Sequence, residues 1–319
     1  MLTVPSAPFR ASGVPLPAIE AIFYELGPTP RLCFGKNLFL RNYRFGLEDA
    51  LNKLSLTYLE DLASRDRWSM DDVSHKIFMM RRVTIDVDDP SVDIQVISPF
   101  VDSKIASRMR ALERHQLVSL FKRYHALPST RKLSGNVFEA YCHLTFSRRI
   151  GFHFVPMVHF SGQPIVRAKK IPRWYSSHDE FIGSPQDRLL EALRLPALAQ
   201  RAPLAIYPSR VVEYDSKEIA GRGIEANTYY VLIRSKQVGI DSFIYHNGIL
   251  YLFQMTVSDT HSISDKLWSF LCSLHGLPPK HNWRFIFVKP PGGALACPVP
   301  DSDELLDLGL FSAEVDVVY

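Results

Sequence analysis

The chain has 319 residues, of which 46% are hydrophobic and 22% charged, enough for one large domain or two smaller ones with packed cores. Its four cysteines (Cys33, Cys142, Cys272 and Cys297) are far apart and include no Cys-x-x-Cys pair, so neither a disulfide framework nor a zinc site is indicated. No basic-then-apolar signal sequence opens the chain, and the longest apolar stretch, residues 248–257, is about half as long as a membrane helix, so no membrane partner is expected.

The net charge of +4 is unevenly distributed along the chain. Residues 101–175 contain 14 Lys or Arg and only 3 acidic residues, which leaves the remainder of the chain negative. A basic middle region suits a phosphate backbone, and solvated basic helix faces explain the same pattern equally well. Charge alone leaves both interpretations open.

The N-terminal part is predicted to be an extended entry followed by helices. Residues 1–40 are rich in proline, which favours an extended segment. Residues 41–130 are predicted to be mainly helical, because apolar residues recur at helical spacing over 41–80 and form one long amphipathic stripe over 105–124. Between these stretches, residues 83–97 alternate apolar and polar side chains around Asp-Asp-Pro-Ser, which predicts a hairpin.

The C-terminal part, residues 131–319, is predicted to be an α/β (α+β) unit. A helix is expected from Ser134, as its N-cap, to about Ser147. Further strands are predicted at 152–160, 205–214, 228–235, 239–246, 248–257 and 283–288, with helices near 189–199 and 262–275. This order of elements indicates a mixed central sheet flanked by helices.

The segment 239–257 holds the most informative pair of polar residues. His246-Asn-Gly248 is a tight hairpin signal between two apolar strands. The hairpin places Asp241 early on one strand and Gln254 late on the next, so the two can lie side by side. A carboxylate and a second oxygen ligand are what a sheet presents to Mg²⁺.

Glu139 is a third candidate ligand. It is the only acidic residue between Arg114 and His178, on a helix where it can face inward. A metal ion would offset the cost of burying its charge. An ordinary salt bridge to Arg148 or Arg149 is the open alternative.

Three sequence stretches carry a resemblance to fungal Crinkler proteins. Gly135-Asn-Val-Phe-Glu139 resembles their Gly-x-x-Phe-Glu helix, and Ile240-Asp-Ser-Phe243 with Leu252-Phe-Gln-Met-Thr-Val-Ser258 resembles their Asp and Gln-x-Thr strands. Tyr24-Glu-Leu-Gly-Pro-Thr-Pro-Arg-Leu-Cys33 resembles the segment that follows the P-loop ATPase module in these proteins. The resemblance covers about residues 20–290.

Crinkler-type and retrotransposon-hot-spot proteins often join an NTPase to a PD-(D/E)XK restriction-endonuclease-like domain, which the resemblance assigns to residues 131–319. It implies that Glu139, Asp241 and Gln254 hold Mg²⁺ or Mn²⁺ in a metal-dependent nuclease acting on DNA. An effector- or toxin-like role, an intracellular location including the nucleus, and a host or partner protein as a further partner are implied in the same way. The chain lacks Gly-x-x-x-x-Gly-Lys-[Ser/Thr], so it is expected to be a fragment of a longer protein or a member without the ATPase.

One position departs from the family pattern. The superfamily has a lysine two residues beyond the last strand ligand, and this chain has Thr256, which supplies no cation. His261 and Lys266 are the candidate replacements, of which Lys266 is the better because superfamily members sometimes relocate the lysine to the next helix; a solvated lysine is the open alternative for Lys266. A catalytically silent module that binds nucleic acid or a partner protein is therefore the second functional hypothesis. The residues expected to grip the nucleic-acid backbone are Arg108, Arg114, Lys122, Arg123, Arg148, Arg149, Lys169 and Lys170.

Overall fold

The computed structural model describes residues 15–28, 38–64, 74–82, 92–160, 173–175, 202–219, 221–233, 239–293, 295–298, 300, 302–305 and 307–318. The chain divides into two compact units. The first consists of Met1–Leu112 with Ser119–Ser134, and the second of Glu113–Val118 with Gly135–Tyr319. No helix in these described ranges is long and apolar enough to cross a membrane.

The part of the chain before residue 127 is mainly helical. Its elements are α1 (Leu16–Leu26), α2 (Leu38–Lys53), α3 (Leu56–Ser64), α4 (Ser74–Ile77), β1 (Phe78–Arg82), β2 (Val92–Val96), α5 (Pro99–Arg110) and α6 (Arg114–Ala126). Strands β1 and β2 are antiparallel, with Phe78 opposite Val96. Ser98 starts α5 by accepting the Val101 N–H at 3.2 Å, as an N-cap serine does.

The entry segment contains a helix where extended chain was expected. Pro15 precedes α1 and Pro17 is its second residue, and at these positions a missing N–H costs nothing because it would have no partner inside the helix. Ile19, Ile22 and Leu26 form its buried stripe. The prolines therefore mark a helix start.

The hairpin and the long helix also differ in detail from their predictions. Strand β2 lies in the predicted hairpin and β1 precedes it, whereas the predicted first strand and turn, residues 83–91, lie outside the described residues. The single helix predicted over 105–124 is two helices, α5 and α6. Glu113 opens α6, because its N–H donates to Gln116 Oε1 at 2.9 Å and its carbonyl accepts the N–H groups of Gln116 and Leu117. This capping arrangement starts a second helix, although the spacing of the apolar residues alone indicates a single continuous one.

The second unit is built on an eight-stranded mixed sheet, as the α/β prediction expected. The elements from residue 131 onward are α7 (Arg131–Phe146), β3 (Ile150–Pro156), β4 (Val158–Phe160), β5 (Arg173–Tyr175), β6 (Ala202–Ile206), β7 (Arg210–Tyr214), α8 (Ser216–Ile219), β8 (Thr228–Leu232), β9 (Ser242–His246), β10 (Ile249–Met255), α9 (Lys266–Cys272), β11 (Trp283–Lys289), β12 (Ala296–Pro298) and β13 (Gly309–Glu314). The strands of the large sheet run in the order β6-β3-β13-β11-β10-β9-β8-β7, in which β10/β11, β11/β13 and β7/β8 are parallel and the other neighbours antiparallel. A small sheet has the order β12-β5-β4.

Several boundaries here are corrected. Helix α7 starts at Arg131, directly after a 3₁₀ turn at Pro128–Thr130, and Ser134 lies inside it with its hydroxyl donating to the Arg131 carbonyl at 2.6 Å. Ser134 is therefore not the N-cap. The predicted strands 152–160 and 205–214 are each two strands, β12 and β13 were not predicted, and the helix predicted near 189–199 lies outside the described residues.

Strand β10 is buried on both faces. On one face Phe253 packs against Phe146 of α7, with ring centroids 5.5 Å apart. On the other face Leu252 belongs to a core that includes Phe270 of α9 and Phe285 of β11. Burial on both sides explains why this strand reads as a continuous apolar run.

The β9–β10 hairpin has the turn that its sequence predicts. Asn247 and Gly248 both have positive φ, 49° and 79°, as a two-residue type I′ turn requires. The turn fixes a register in which Ser242 lies opposite Phe253. This register sets the positions of the next residues outward on both strands, Asp241 and Gln254.

Gly239 and Gly248 offer a matched test of the backbone that leads into β9. Both have positive φ, 81° and 79°, so alanine is strained at either position. A Cβ at Gly239 would lie 2.7 Å from Ser264 Cβ, whereas at Gly248 nothing lies within 4 Å. We expect Gly239→Ala to lower the free energy of unfolding by about 1–3 kcal/mol more than Gly248→Ala, measured by urea unfolding followed by tryptophan fluorescence. Equal losses would show that the Gly239–Ser264 contact relaxes without cost.

Candidate functional site

The Asp241 carboxylate lies in the opening between β9 and β10. The Asp241 N–H donates to the Phe253 carbonyl at 2.9 Å, continuing the ladder by one bond. The next donor of β10, the Met255 N–H, bonds instead to Asp241 Oδ2 at 2.7 Å. A side chain thus takes the place of a main-chain acceptor, and Asp241 is only 3% exposed.

Gln254 meets the same carboxylate oxygen. Its Nε2 donates to Asp241 Oδ2 at 2.8 Å, so the structure brings together the two residues that the hairpin pattern placed side by side. An ionised carboxylate only accepts hydrogen bonds, so the amide nitrogen must face Asp241 and Oε1 points elsewhere. Rotating the amide would present Oε1 to an ion shared with Asp241.

Glu139 lies on α7 with 8% exposure. Its Oε1 is 3.5 Å from Nε2 of His143, one helical turn further along. Within the described part of the chain no ion pair joins Glu139 to Arg148 or Arg149, and both arginines are exposed. The salt-bridge alternative for Glu139 therefore finds no support in the geometry.

The negative charges of Glu139 and Asp241 raise the pKa of the same two buried groups, although the two acids come from different parts of the fold. Burial raises the pKa of the Cys142 thiol well above its usual value, and the negative charges of Glu139 and then Asp241 raise it further. Burial likewise raises the pKa of Tyr229, on which both carboxylates also act, while its hydrogen bond to Ser242 opposes the rise. Two acids therefore share one poorly solvated region, an arrangement that a bound cation stabilises.

A buried hydrogen-bond chain leads from this region into the sheet. The Tyr229 hydroxyl donates to Ser242 Oγ at 2.9 Å, and its oxygen lies 2.8 Å from His143 Nδ1. Sequence reasoning did not select His143 or Tyr229. The signal for His143 was its spacing, four residues after Glu139 and hence on the same helix face.

The two proposed substitutes for the missing lysine have different surroundings. Lys266 is exposed at the first residue of α9. His261 is half-buried, with its ring centroid 5.9 Å from that of Phe287, the residue that lies opposite Gln254 in the β10–β11 register. His261 is thus the candidate associated with the face of the sheet that carries Gln254.

Lys289 is a buried lysine that sequence reasoning missed. It ends β11, one residue beyond Val288, whose carbonyl accepts the Thr256 N–H at 2.9 Å. Its ammonium group bonds to Glu314 Oε1 at 2.8 Å and to the Gly293 carbonyl. Glu314 is on β13, which flanks β11 on the side away from β10, so this cation is directed away from Asp241.

The residues expected to contact the nucleic-acid backbone lie in different environments. Arg114, Lys122, Arg123, Arg148 and Arg149 are exposed. Arg108 is half-buried and donates to the Leu54 carbonyl at 2.9 Å, so its guanidinium has a structural partner in the first unit. Lys169 and Lys170 lie outside the described residues.

The ligand chemistry of the site suits a divalent ion in part. No cluster of three or more His, Cys, Asp or Glu side chains arranged around a metal position occurs among the described residues. The candidate set contains two carboxylates and the Gln254 amide, all oxygen ligands of the type that Mg²⁺ accepts. Both carboxylates are buried, Glu139 on α7 and Asp241 beside β10.

The buried thiol beside the acids provides a chemical test of this geometry. Cys142 is fully buried with a raised pKa, whereas Cys272 is exposed on α9. Because the thiolate is the reactive form, Cys142 should stay unmodified by iodoacetamide at neutral and mildly alkaline pH while Cys272 is alkylated. Peptide mass spectrometry reads both sites in one sample. Rapid modification of Cys142 in the folded protein would contradict the burial of this face of α7.

Comparison of the chain with family models, with curated proteins and with solved structures found no match. The geometry of the site therefore carries the functional interpretation.

Proposed function

We propose that the second unit is a divalent-metal-dependent nuclease core that cleaves DNA, with Glu139, Asp241 and Gln254 holding Mg²⁺ or Mn²⁺. The observation that carries the proposal is the bonded pair of Asp241 and Gln254 at the end of β10. Glu139, buried on α7, is proposed as the second carboxylate. Two carboxylates and an amide oxygen form an oxygen ligand set for one ion.

The residues of the chain have separable roles in this proposal. A bound ion lowers the pKa of a coordinated water and neutralises charge on the phosphate. Asp241 is held in one orientation by the Met255 N–H, so its carboxylate is positioned before any ligand arrives. Gln254 presents Oε1 after rotation of its amide, and such terminal torsions are soft.

The order of elements around the site supports the finer fold assignment. Helix α7 precedes β8, β9 and β10, which are consecutive antiparallel neighbours, and α9 connects β10 to the parallel strand β11. Helices thus cover both faces of a mixed sheet at β10, as the resemblance to a PD-(D/E)XK nuclease-like core predicts. The nuclease fold remains part of this proposal.

DNA is the proposed substrate because of the exposed arginines near α7 in the second unit. Arg148 and Arg149 lie between α7, the helix that carries Glu139, and strand β3. Arg149 lies over the exposed ring of Tyr207, 5.5 Å from its centroid, an arrangement that keeps the guanidinium at the surface. Contacts of such groups with phosphates weaken as salt concentration rises.

A catalytically silent binding module is the second candidate function. Thr256 favours it, because this residue occupies the place of the superfamily lysine and is itself buried. A hydroxyl supplies no positive charge to an attacking hydroxide or a phosphate. In this alternative the site binds DNA or a partner protein without cleaving it.

Cleavage of plasmid and single-stranded DNA with Mg²⁺ or Mn²⁺ separates the two candidates. Glu139→Gln and Asp241→Asn should lower the cleavage rate on the order of 10²–10³-fold, because each removes a charge that acts on the transition state. Glu225→Gln, which removes an exposed acid paired with Arg210, is the matched control and should cut as the wild type does. A wild type that binds DNA with salt-sensitive affinity yet leaves it intact would establish the silent module.

A second set of variants tests which side chain takes the role of the strand lysine that is absent at Thr256. His261→Ala should lower kcat about 100-fold at saturating metal, as expected when a positioned general acid or base is removed. Lys266→Ala, at an exposed position, should leave kcat unchanged. The reverse pattern would assign the role to Lys266 and contradict the position of its side chain in solvent.

A further inference from the structure

Tyr207, directly after β6, has an exposed aromatic ring. Its exposed fraction is 67%, the largest of any Phe, Tyr or Trp side chain among the described residues of the second unit. The Arg149 guanidinium lies over the ring, 5.5 Å from its centroid. A ring covered on both faces would lose most of its accessible area, so the face away from Arg149 is open to a ligand.

The register of the sheet makes Arg149 and Tyr207 neighbours. Strands β3 and β6 are antiparallel with Ile150 opposite Ile206, and the next pair outward in this register is Arg149 and Tyr207. The arginine side chain lies against Gly151, where an added Cβ would be 3.0 Å from Arg149 Nε. The missing side chain at Gly151 therefore leaves room for the guanidinium to reach the tyrosine ring.

Tyr207 is on the same face of the sheet as Gln254. Residues opposite each other on neighbouring strands have their side chains on one face, and residues separated by an even number along a strand share a face. The pairs that lead across the sheet from β10 to β3 are Gln254–Phe287, Phe287–Ser312 and Ser312–Val155. Arg149 lies six residues before the last of these, so it shares their face, and so does Tyr207 opposite it.

The two positions also share an edge of the sheet. Strand β3 is antiparallel to β13, so it begins at the edge where β10, β11 and β13 end. Three strand spacings separate β10 from β3 and four separate it from β6. At about 4.8 Å per spacing, Tyr207 is roughly 15–20 Å from Gln254 along the sheet. Single exposed rings are ordinary on protein surfaces, and the place of this one at the edge and on the face of the site distinguishes it.

We propose that Tyr207 is a stacking platform for an unpaired base, so that the substrate class of the site is DNA with a single-stranded segment. The inference rests on the proposed function, which places DNA cleavage at Asp241 and Gln254, and it specifies the form of the DNA. A strand of a few nucleotides spans the distance from the ring to the site. Arg149, together with the exposed Arg148, supplies positive charge for the phosphates next to the stacked base.

Stacking on a surface ring selects unpaired bases for a physical reason. Every base has a π-face that can stack on an aromatic side chain, so such a platform tolerates any sequence. In a duplex these faces are already covered by neighbouring bases, and exposing one costs unstacking and unpairing energy. The ring consequently adds affinity for single strands, whereas the arginines contribute to the binding of both forms.

Two probes of equal charge separate stacking from phosphate binding. The full chain is titrated into a fluorescein-labelled oligothymidylate and into an abasic strand of the same length, with EDTA present to prevent cleavage, and fluorescence anisotropy gives both affinities. The wild type should bind the oligothymidylate about tenfold more tightly than the abasic strand, because only the former has bases to stack.

Variants assign this base preference to one side chain. Tyr207→Ala should bind the two strands equally, and Tyr207→Trp should keep the preference because it keeps a ring. Arg149→Gln should weaken binding of both strands and reduce the slope of log affinity against log salt concentration by about 0.7. Phe45→Ala is the matched control and should behave as the wild type, because Phe45 is an exposed ring whose neighbour Arg44 is already paired with Glu25.

The outcomes distinguish this proposal from the one on which it rests. Equal binding of the two strands by the wild type would overturn the platform, and so would a base preference that survives in Tyr207→Ala; neither result bears on cleavage at Asp241. A base preference that depends on Tyr207, in a protein that leaves DNA intact with Mg²⁺ or Mn²⁺, would overturn the nuclease and keep the platform. The wild-type comparison needs no variant, and Tyr207→Gln replaces Tyr207→Ala if circular dichroism shows that the alanine variant is misfolded.

Discussion

The candidate site depends on the bond from the Met255 N–H to the Asp241 carboxylate, which follows the last backbone bond between β9 and β10. A buried carboxylate is costly unless donors surround it, and Asp241 takes two of its donors from β10. In turn, Met255 has a buried N–H that requires an acceptor. The acid and the strand end thus stabilise each other, which holds the Asp241 side chain at the end of the β9–β10 ladder.

The pairing of Asp241 with Gln254 could be predicted from the sequence because a local turn motif determines it. An Asn-Gly dipeptide between two apolar runs sets the turn type, the turn sets the register, and the register sets which side chains become neighbours. The same argument places Ser242 opposite Phe253. A slip by one residue would exchange the two faces of β10, and both are buried against large aromatic groups, so the packing enforces the register that the turn selects.

Other features could not be predicted from the sequence. Some depend on contacts between residues far apart in the chain, and others are hidden by the regular spacing of apolar residues. The contact between His143 and Tyr229 joins residues 86 positions apart, and no local pattern encodes it. The position of β13 between β11 and β3 is likewise a matter of tertiary pairing. By contrast, the break between α5 and α6 has a local cause in Glu113 and Gln116, but a continuous amphipathic stripe concealed it. Hydrophobic periodicity reports which face of an element is buried, and it does not report the partner or the caps.

The burial of β10 on both faces bears on the choice between an active nuclease and a silent module. Because α7 covers the side that carries Phe253, Glu139 and His143 are held away from water together with Asp241. Buried acids are costly unless they have partners, and both have some: Asp241 accepts two hydrogen bonds from β10, and Glu139 lies 3.5 Å from His143 Nε2. The proposed ion would give both carboxylates a positive partner, whereas cleavage additionally requires a cation that Thr256 does not provide. Metal binding and cleavage are thus separate requirements of the proposal, and loss of the second alone gives the silent module.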